Sequence, residues 1–452
     1  MSALLSIELL RKYTGVGPRS TSYPPADRWS AAIGADDTLE ALAQTRKSAQ
    51  PFAVYVHLPF CPSQCWFCAC NVIAGAPTAM VDRYIESLGQ EIALLAPHLA
   101  DAEVVQLHFG GGSPTALTPT QLRTLDGLLR QTLRIAPDAE IAIEADPRLT
   151  TQEHLATLRQ LGFNRLSLGV QDLDPAVQQA IHRTQSAELT ERFMQNCRYA
   201  GFEELSVDLV YGLPRQTPFG FGQTLDHLLR MRPSRVAVYG YAHVPWMRPA
   251  QRRIDETELP DAHRRLLLFS MAVERFLAAG YEHIGLDHFA LPQDSLAQAA
   301  RAGTLQRNFM GYATRAGTNL IGLGVTSIGR IGDLHVQNER RLKPWQAAVG
   351  VGKLATVRGW RMTAEDLARE AAIQSLLCTG TLVRADLRER FGPAADGVLE
   401  HANAEVSDLA VDGLINDDGS QLALTPSGRM LARRVAMAFD SGIGGGRYSA
   451  TV

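Results

Sequence analysis

Short apolar runs alternate with amphipathic stretches from about residue 52 to about residue 241. The runs at 52–58, 104–109, 140–146, 165–170, 205–211 and 235–241 are rich in β-branched and apolar residues, the composition of parallel strands covered on both faces. Between them, 81–95, 121–133, 153–161, 188–200 and 222–231 carry apolar residues at helical spacing. Six strand–helix units in succession predict a parallel α/β sheet, open or curled into a barrel. No internal sequence repeat stands out. Ligands of such folds bind beyond the carboxyl ends of the strands, so the residues that follow each run are the ones to inspect.

Past about residue 360 the pattern changes. Helices are predicted over 363–377, 399–412 and 426–439, with a hairpin signal at Asp418-Gly419. Helices with a hairpin wing predict a winged-helix-like module. Arg429, Arg433 and Arg434 suggest DNA contact, but the region also carries many acids, and a lid packed on the barrel is the better expectation. The chain thus divides into an N-terminal segment closing the active site (1–50), the (β/α)6 core (51–290), a barrel extension (291–360), a mostly helical C-terminal domain (361–440) and a flexible tail (441–452).

Composition narrows the function classes. Hydrophobic residues make up 46% and charged residues 20%, as in ordinary globular proteins. A net charge of −3 gives no global basic field for nucleic acid or anionic membrane. The first twelve residues place their basic pair after the apolar part, the wrong order for a signal peptide, and no run of about 18 apolar residues could span a membrane. A cytoplasmic enzyme, monomeric and without nucleic-acid or membrane partners, is the expectation.

Four of the six cysteines fall within ten residues: Cys61, Cys65, Cys68 and Cys70. Thiolates so close repel one another unless a metal or cluster neutralises them. A zinc site would bring ligand pairs from two segments, whereas all four lie in one. A disulfide in so tight a loop would be strained. Cys197 and Cys378 stand alone in helix-like apolar patterns, as buried structural thiols do. The C-x3-C-x2-C spacing resembles the signature of radical S-adenosylmethionine (SAM) enzymes, in which three cysteines hold a [4Fe-4S] cluster and leave one iron open for SAM.

The other strand ends carry chemistry too. The second run leads into Gly110-Gly111-Gly112-Ser113, where absent side chains let backbone approach a ligand. The third ends at Glu144-Ala145-Asp146, the fourth at Gln171-Asp172, the fifth begins its end at Asp208, and the sixth runs into Tyr241-Ala242-His243. Each alone also reads as a cap or turn residue; together, beside a cysteine loop, they suit a cofactor with ammonium, sulfonium and ribose groups. The glycines of 322–329 match a dinucleotide fingerprint only superficially, with the third out of register. A tight loop over the barrel mouth is expected there.

Nearly the whole chain resembles the oxygen-independent coproporphyrinogen III oxidases of anaerobic haem biosynthesis. The likeness rests on Gly17-Pro18-Arg19, Tyr55-Val56-His57-Leu58-Pro59-Phe60, Asn164-Arg165-Leu166-Ser167-Leu168-Gly169-Val170-Gln171-Asp172, Asp208-Leu209-Val210-Tyr211-Gly212-Leu213-Pro214, Gly285-Leu286-Asp287-His288-Phe289 and Arg307-Asn308-Phe309. The fourth cysteine, Cys70, resembles the oxidases rather than their haem-chaperone relatives, which carry a bulky apolar residue there. The resemblance implies that Cys61, Cys65 and Cys68 hold the cluster and that Tyr55, Gly111, Glu144 and Ile328 hold the SAM bound to it. It implies a second SAM on Phe67, Gly112, Ser113, Gln171, Arg183, Asp208 and Ala242. Cys70 and Tyr55 are candidate catalytic residues, Cys70 not as a ligand.

The implied reaction is radical oxidative decarboxylation of two propionates of coproporphyrinogen III to vinyl groups, giving protoporphyrinogen IX. It requires a reducing donor such as flavodoxin or ferredoxin and an electron acceptor that the sequence does not identify. A tetracarboxylate asks for arginine forks; Arg19 and Arg307 are favoured among Arg19, Arg248, Arg252, Arg253, Arg307 and Arg330. Two positions depart from the family pattern: Ser113 stands for Thr, and Met310 for the Gln of Asn-Phe-Gln-Gly-Tyr. Methionine lacks the amide's donor and acceptor, so a polar contact near SAM is absent or supplied by another group. Another radical SAM reaction on a tetrapyrrole, by methyl transfer or ring opening, and a haem-carrying chaperone are the alternatives.

Overall fold

The computed structural model describes residues 9, 12–13, 23–45, 50–99, 102–315 and 317–442. Arg19 and the tail 443–452 lie outside the described residues, as do 1–8, 10–11, 14–22 and 46–49 of the segment expected to close the active site.

Helix α1 (Ala35–Thr45) precedes six strand–helix units: β1 (Phe52–Leu58), α2 (Thr78–Leu99), β2 (Glu103–Gly111), α3 (Pro119–Thr132), β3 (Arg134–Ala145), α4 (Gln152–Gln160), β4 (Arg165–Gln171), α5 (Ala187–Tyr199), β5 (Glu204–Tyr211), α6 (Pro218–Met231), β6 (Arg235–Gly240) and α7 (Ala262–Ala278). Local signals set the helix starts. Thr118 and Gln121 form a capping box before α3, Thr151 and His154 form another before α4, and Asp261 caps α7. Cys197 in α5 is fully buried, and burial pushes its thiol up to about 12, as befits a structural cysteine.

The sheet is larger than six strands. β1 to β6 run parallel in sequence order, and the chain then adds β7 (Glu282–Gly285) and β8 (His288–Ala290), with β8 antiparallel to β6. A hairpin follows, β9 (Gln306–Asn308) with β10 (Gly311–Ala313). β11 (Asn319–Leu323) returns to pair parallel with the free side of β1, placing Gly322 beside Tyr55. β12 (Ile328–Ile331), β13 (Leu334–Asn338) and β14 (Thr356–Arg361) continue outward antiparallel. The full order is β14-β13-β12-β11-β1-β2-β3-β4-β5-β6-β8-β7, so the sheet is an open, partial barrel.

The two faces of the parallel strands differ, which corrects the expectation of apolar cover on both. One face buries Val54, Val56, Leu107, Phe109, Ile143, Leu168 and Leu209 under the helices. The other alternates polar residues, Gln106 and His108, Glu140 and Glu144, Arg165 and Ser167, Glu204 and Asp208, around an interior cavity of about 150 Å³. At its amino-terminal end Arg165 binds Glu140 and Glu204, and Arg235 binds Asp294 at 2.7 Å.

The C-terminal domain comprises α8 (Ala364–Cys378), β15 (Thr381–Val383), α9 (Arg384–Phe391), α10 (Pro393–Val411), β16 (Ile415–Asp417) and β17 (Gln421–Leu424). The hairpin turns at Asp418-Gly419, and β15 pairs with β17 to complete a three-stranded wing. The expected final helix is broken at Leu431 into α11 (Pro426–Met430) and α12 (Ala432–Met437). Its arginines serve packing: Arg433 approaches Asp287 of the core at 3.7 Å and Arg434 binds Glu405. Cys378 is buried, and burial pushes its thiol up to about 12. Among the described residues no helix is long and apolar enough to cross a membrane.

Candidate functional site

The loop after β1 carries the four cysteines, all free thiols. Its start is wedged against the end of β2. The amide of Gly112 donates to the Leu58 carbonyl at 2.9 Å, and that of Ser113 to the Phe60 carbonyl at 2.8 Å. A Cβ on Gly112 would stand 2.8 Å from the Phe60 carbonyl oxygen, and Gly111 has a φ of +120° with the His57 ring against it. The glycines therefore first let the cysteine loop close onto the sheet.

Each cluster-type cysteine has its own polar neighbour. Cys61 Sγ lies 3.7 Å from Ser113 Oγ, Cys65 Sγ 3.8 Å from Arg183 Nη1, and Cys68 Sγ accepts from the Cys70 amide at 3.4 Å. Cys70 first, and then Arg248 and Arg183 against the opposing burial, bring the Cys68 thiol down to about 7. Burial pushes Cys61 up to about 11. Among the described residues no three of His, Cys, Asp and Glu gather as they do round a single metal ion. The donor chemistry nonetheless fits an iron–sulfur cluster: three soft sulfurs in one loop beside guanidiniums that favour the thiolate. Arg183 adds a second sign of fit. It is buried, it donates to the Gly169 carbonyl at 2.9 Å and to Gln185 at 3.1 Å, and its Nε has no hydrogen-bond partner among the described residues. A buried donor left open in this way asks for an acceptor.

Tyr55 and Glu144 meet inside the mouth. Tyr55 stacks on His108 and its hydroxyl lies 3.1 Å from His57 Nδ1. Glu144 accepts from the Gly111 amide at 3.1 Å, and His108 Nε2 stands 3.3 Å away. Burial pushes the Glu144 carboxyl up, but the His108 and Gly111 bonds outweigh it and hold it below the ordinary carboxylate range. Asp208, two strands further, accepts only a long bond from Ser167 Oγ at 3.4 Å, and burial and the Glu144 charge push it up to about 7. Ile328 begins β12, its carbonyl packed against Gly322 next to Tyr55.

Gln171 sits at the end of β4 with φ +68°, a left-handed turn fixed by the buried Asp172, which accepts from Gln216 at 2.6 Å and Thr224 at 2.7 Å. Phe67 and Ala242 are joined by Gln251, a fully buried amide that donates to both carbonyls at 2.9 and 3.1 Å. Arg307, on β9, holds its guanidinium over the ring of Tyr312, which lines the interior cavity, and its amide donates to Gln374 of α8. Arg330 is occupied by Glu370, and Arg252 and Arg253 face solvent. Met310 lines the interior cavity with Tyr239 and His288.

The structure thus gathers Tyr55, Gly111, Gly112, Ser113, Glu144, Arg183, Asp208 and the cysteines at one end of the strands, and leaves Arg307 and Arg330 at the C-terminal domain. Reading the sequence missed His108 and Gln251. His108 had a signal, the polar alternation with Gln106 in an apolar strand; Gln251 had none.

A model of the Radical SAM superfamily matches residues 55–228, and one of the HemN C-terminal domain matches 362–431. The chain is 42% identical to an oxygen-independent coproporphyrinogen III oxidase of Pseudomonas aeruginosa over 96% of its length and 95% of the relative's. It is 40% identical to that of Escherichia coli K12 over the same shares, and 37% to that of Helicobacter pylori over 98% of each chain. The solved structure of the Escherichia coli coproporphyrinogen III oxidase HemN, described as a radical SAM enzyme, superposes with a TM-score of 0.91 at 38% identity, covering 96% of this chain and 98% of that one.

Proposed function

The chain belongs to the oxygen-independent coproporphyrinogen III oxidases, a radical SAM family, and on that premise we propose that the mouth around the cysteine loop is where two propionates of coproporphyrinogen III become the vinyl groups of protoporphyrinogen IX. The protein is a radical SAM oxidoreductase of haem biosynthesis, with a [4Fe-4S] cluster and two SAM molecules as cofactors. When bound, these supply a 5′-deoxyadenosyl radical that takes a hydrogen atom from the propionate.

The residues are assigned by what they offer. Cys61, Cys65 and Cys68 offer three thiolates to the cluster. Tyr55, Gly111, Glu144 and Ile328 border the place of the cluster-bound SAM, where Glu144, ionised and anchored by a backbone amide, accepts from ammonium or ribose hydroxyl. Phe67, Gly112, Ser113, Gln171, Arg183, Asp208 and Ala242 border that of the second SAM. Arg183 suits a methionine carboxylate, and its open Nε is the single observation that carries this assignment. Cys70 and Tyr55 are assigned to the chemistry. The N-terminal segment is assigned to closing the mouth, and the C-terminal domain to packing on the barrel. A flavodoxin- or ferredoxin-like donor, a monomeric state and a cytoplasmic location complete the proposal.

The test is anaerobic. The chain, with cluster reconstituted, is given SAM, a reductant, coproporphyrinogen III and cell extract as electron acceptor, and tetrapyrroles and nucleosides are read by mass spectrometry. Loss of two carbon dioxide units with 5′-deoxyadenosine formation is expected and shows that Met310 is tolerated. Deoxyadenosine without decarboxylation keeps the radical machinery and overturns the substrate.

A further inference from the structure

Two hydrogen-bonded ties bring arginines to the segment that carries Cys68 and Cys70. Gln251 ties the Phe67 carbonyl to the turn 244–251, and its own carbonyl accepts from the Val244 amide at 2.6 Å, so Arg248 is carried by a fixed turn. Asn71 donates to the Arg340 carbonyl at 3.0 Å, so the chain just past β13 is fixed beside the same segment. A third guanidinium comes from β14, where Arg358 lies opposite Gln337 and donates to its Oε1 at 2.7 Å. Gln337 is itself oriented, its amide nitrogen donating to the Thr326 carbonyl at 3.0 Å. Arg358 is thereby aimed, while Arg340 is exposed.

Arg341, Arg361 and Arg330, neighbours in sequence or on the same strands, each bind a carboxylate. Among the described residues Arg248, Arg340 and Arg358 bind none. Burial, and then the charge of Arg340, hold both Arg248 and Arg358 below the ordinary arginine value; of the acids, only Asp27 acts on Arg358, and the thiols of Cys70 and Cys68 act on Arg248. Three cations from three segments, in a chain of net charge −3, lie within reach of one another's charge, with Arg248 acting on Cys68 of the cysteine loop, and among the described residues none of the three guanidiniums is ion-paired to a carboxylate.

We propose that Arg248, Arg340 and Arg358 form a carboxylate-binding face beside Cys68 and Cys70 that grips the tetrapyrrole's peripheral carboxylates. This rests on the function proposed above and deepens it. The substrate carries four carboxylates, of which two react; guanidinium forks accept the others in two-bonded geometry and hold the macrocycle at the mouth. Arg340 and Arg358 are thus specificity-determining residues, and Gln337 and Gln251 position the face.

The experiment compares the reconstituted wild-type chain with Arg340→Ala, Arg358→Ala, the double variant and Arg340→Lys, using dithionite as reductant. Hydrogen bonds to charged groups of this kind correspond to about a ten- to hundredfold change. Each alanine variant is expected to raise KM for coproporphyrinogen III about tenfold or more, with the affinity for SAM and the cluster's electron paramagnetic resonance spectrum unchanged. Arg340→Lys is expected to recover part of the loss, and the wild-type KM to rise with ionic strength more steeply than that of the double variant. An unchanged KM in the double variant overturns the proposal. So does a loss confined to turnover with an acidic protein donor while dithionite turnover is intact, which would make the face a docking surface for that donor. If wild type forms deoxyadenosine but no vinyl product, the assigned substrate has failed; a wild type that decarboxylates with variants that match it refutes the arginine face alone.

Discussion

Cys70 stands in the cysteine loop yet differs from its three neighbours in what surrounds it. Its amide supports Cys68 Sγ, while its thiol is pushed well up by Cys68 first, then by burial and the Glu144 charge. On the assignment proposed above, the other three cysteines and SAM take the cluster's four irons, which leaves the exposed Cys70 thiol for contact with substrate. Cys70→Ser is expected to keep full iron content and the spectrum of the cluster while vinyl formation falls at least about tenfold; Cys61→Ser, Cys65→Ser and Cys68→Ser are each expected to lose the cluster itself, as iron analysis would show. Loss of iron in Cys70→Ser would refute the distinction. The four cysteines were legible because their spacing is a local pattern. Gln251 was not: it joins carbonyls at Phe67 and Ala242, and an amide bound to a carbonyl 184 residues away leaves no periodicity or motif. Gln251→Leu leaves two half-buried carbonyls without their protein donor, a cost of about 1 kcal/mol each. The expected outcome is a lower melting temperature together with weaker SAM binding, measured by calorimetry on the reconstituted protein.

At the scale of elements, α2 holds the turn that leads into β12. Glu91, fully buried on α2, accepts from the Gly324 amide at 2.7 Å, from Asn338 Nδ2 at 2.6 Å and from Trp345 Nε1 at 3.3 Å. Tyr84, on the same helix, donates to the His57 carbonyl at the end of β1 and accepts from the Val325 amide. One helix thus sets the end of β1 and the turn before Ile328 together. Burial outweighs the three donors and pushes Glu91 up to about 7 from its ordinary 4.5. The folded state therefore holds the proton more tightly than the unfolded chain. That contribution is complete below about 4.5 and is lost as pH rises to about 7, in all on the order of 3 kcal/mol. Glu91→Gln should flatten this part of the stability–pH curve in urea titrations and lower stability throughout, because its amide hydrogens face groups that also donate. An unchanged pH dependence would show that the titrating group lies elsewhere. The first six strands and the five helices between them were legible from periodicity, whereas α1 and α7 were not read. β11 to β14 were not read either, since β11 pairs with β1 across more than 260 residues, and runs of four to six residues show too few periods to read.

Over the whole molecule, the C-terminal domain is bound to the barrel by a mixed surface. Its core includes Leu266 and Leu286 from the sheet side together with Tyr23 from the N-terminal side. Polar contacts cross the same boundary: Tyr23 donates to Asp366 at 3.0 Å, Gln374 meets the backbone of Arg307, and Arg330 on β12 binds Glu370 on α8. The winged-helix-like pattern and its packing on the barrel were expected from the sequence, but the residues that meet were not, because each face of this boundary looks like an ordinary amphipathic element until the two are placed together. Shared apolar packing of this kind couples the two regions, so denaturation of the apoprotein is expected to show one transition with coincident fluorescence and circular dichroism curves. Glu370 is the place to test the coupling. Burial pushes its carboxyl up and the Arg330 charge opposes that, so Arg330→Met leaves a buried carboxylate without its cation. The single variant should cost about 1–3 kcal/mol, and in a double-mutant cycle with Glu370→Gln the second change should cost much less in the Arg330→Met background than in wild type. If instead Arg330→Met splits the unfolding curve into two transitions, the domains are held by this pair rather than by the shared apolar core. Additive losses in a single transition would mean that the pair contributes nothing across the boundary and that Leu266, Leu286 and Tyr23 carry the attachment.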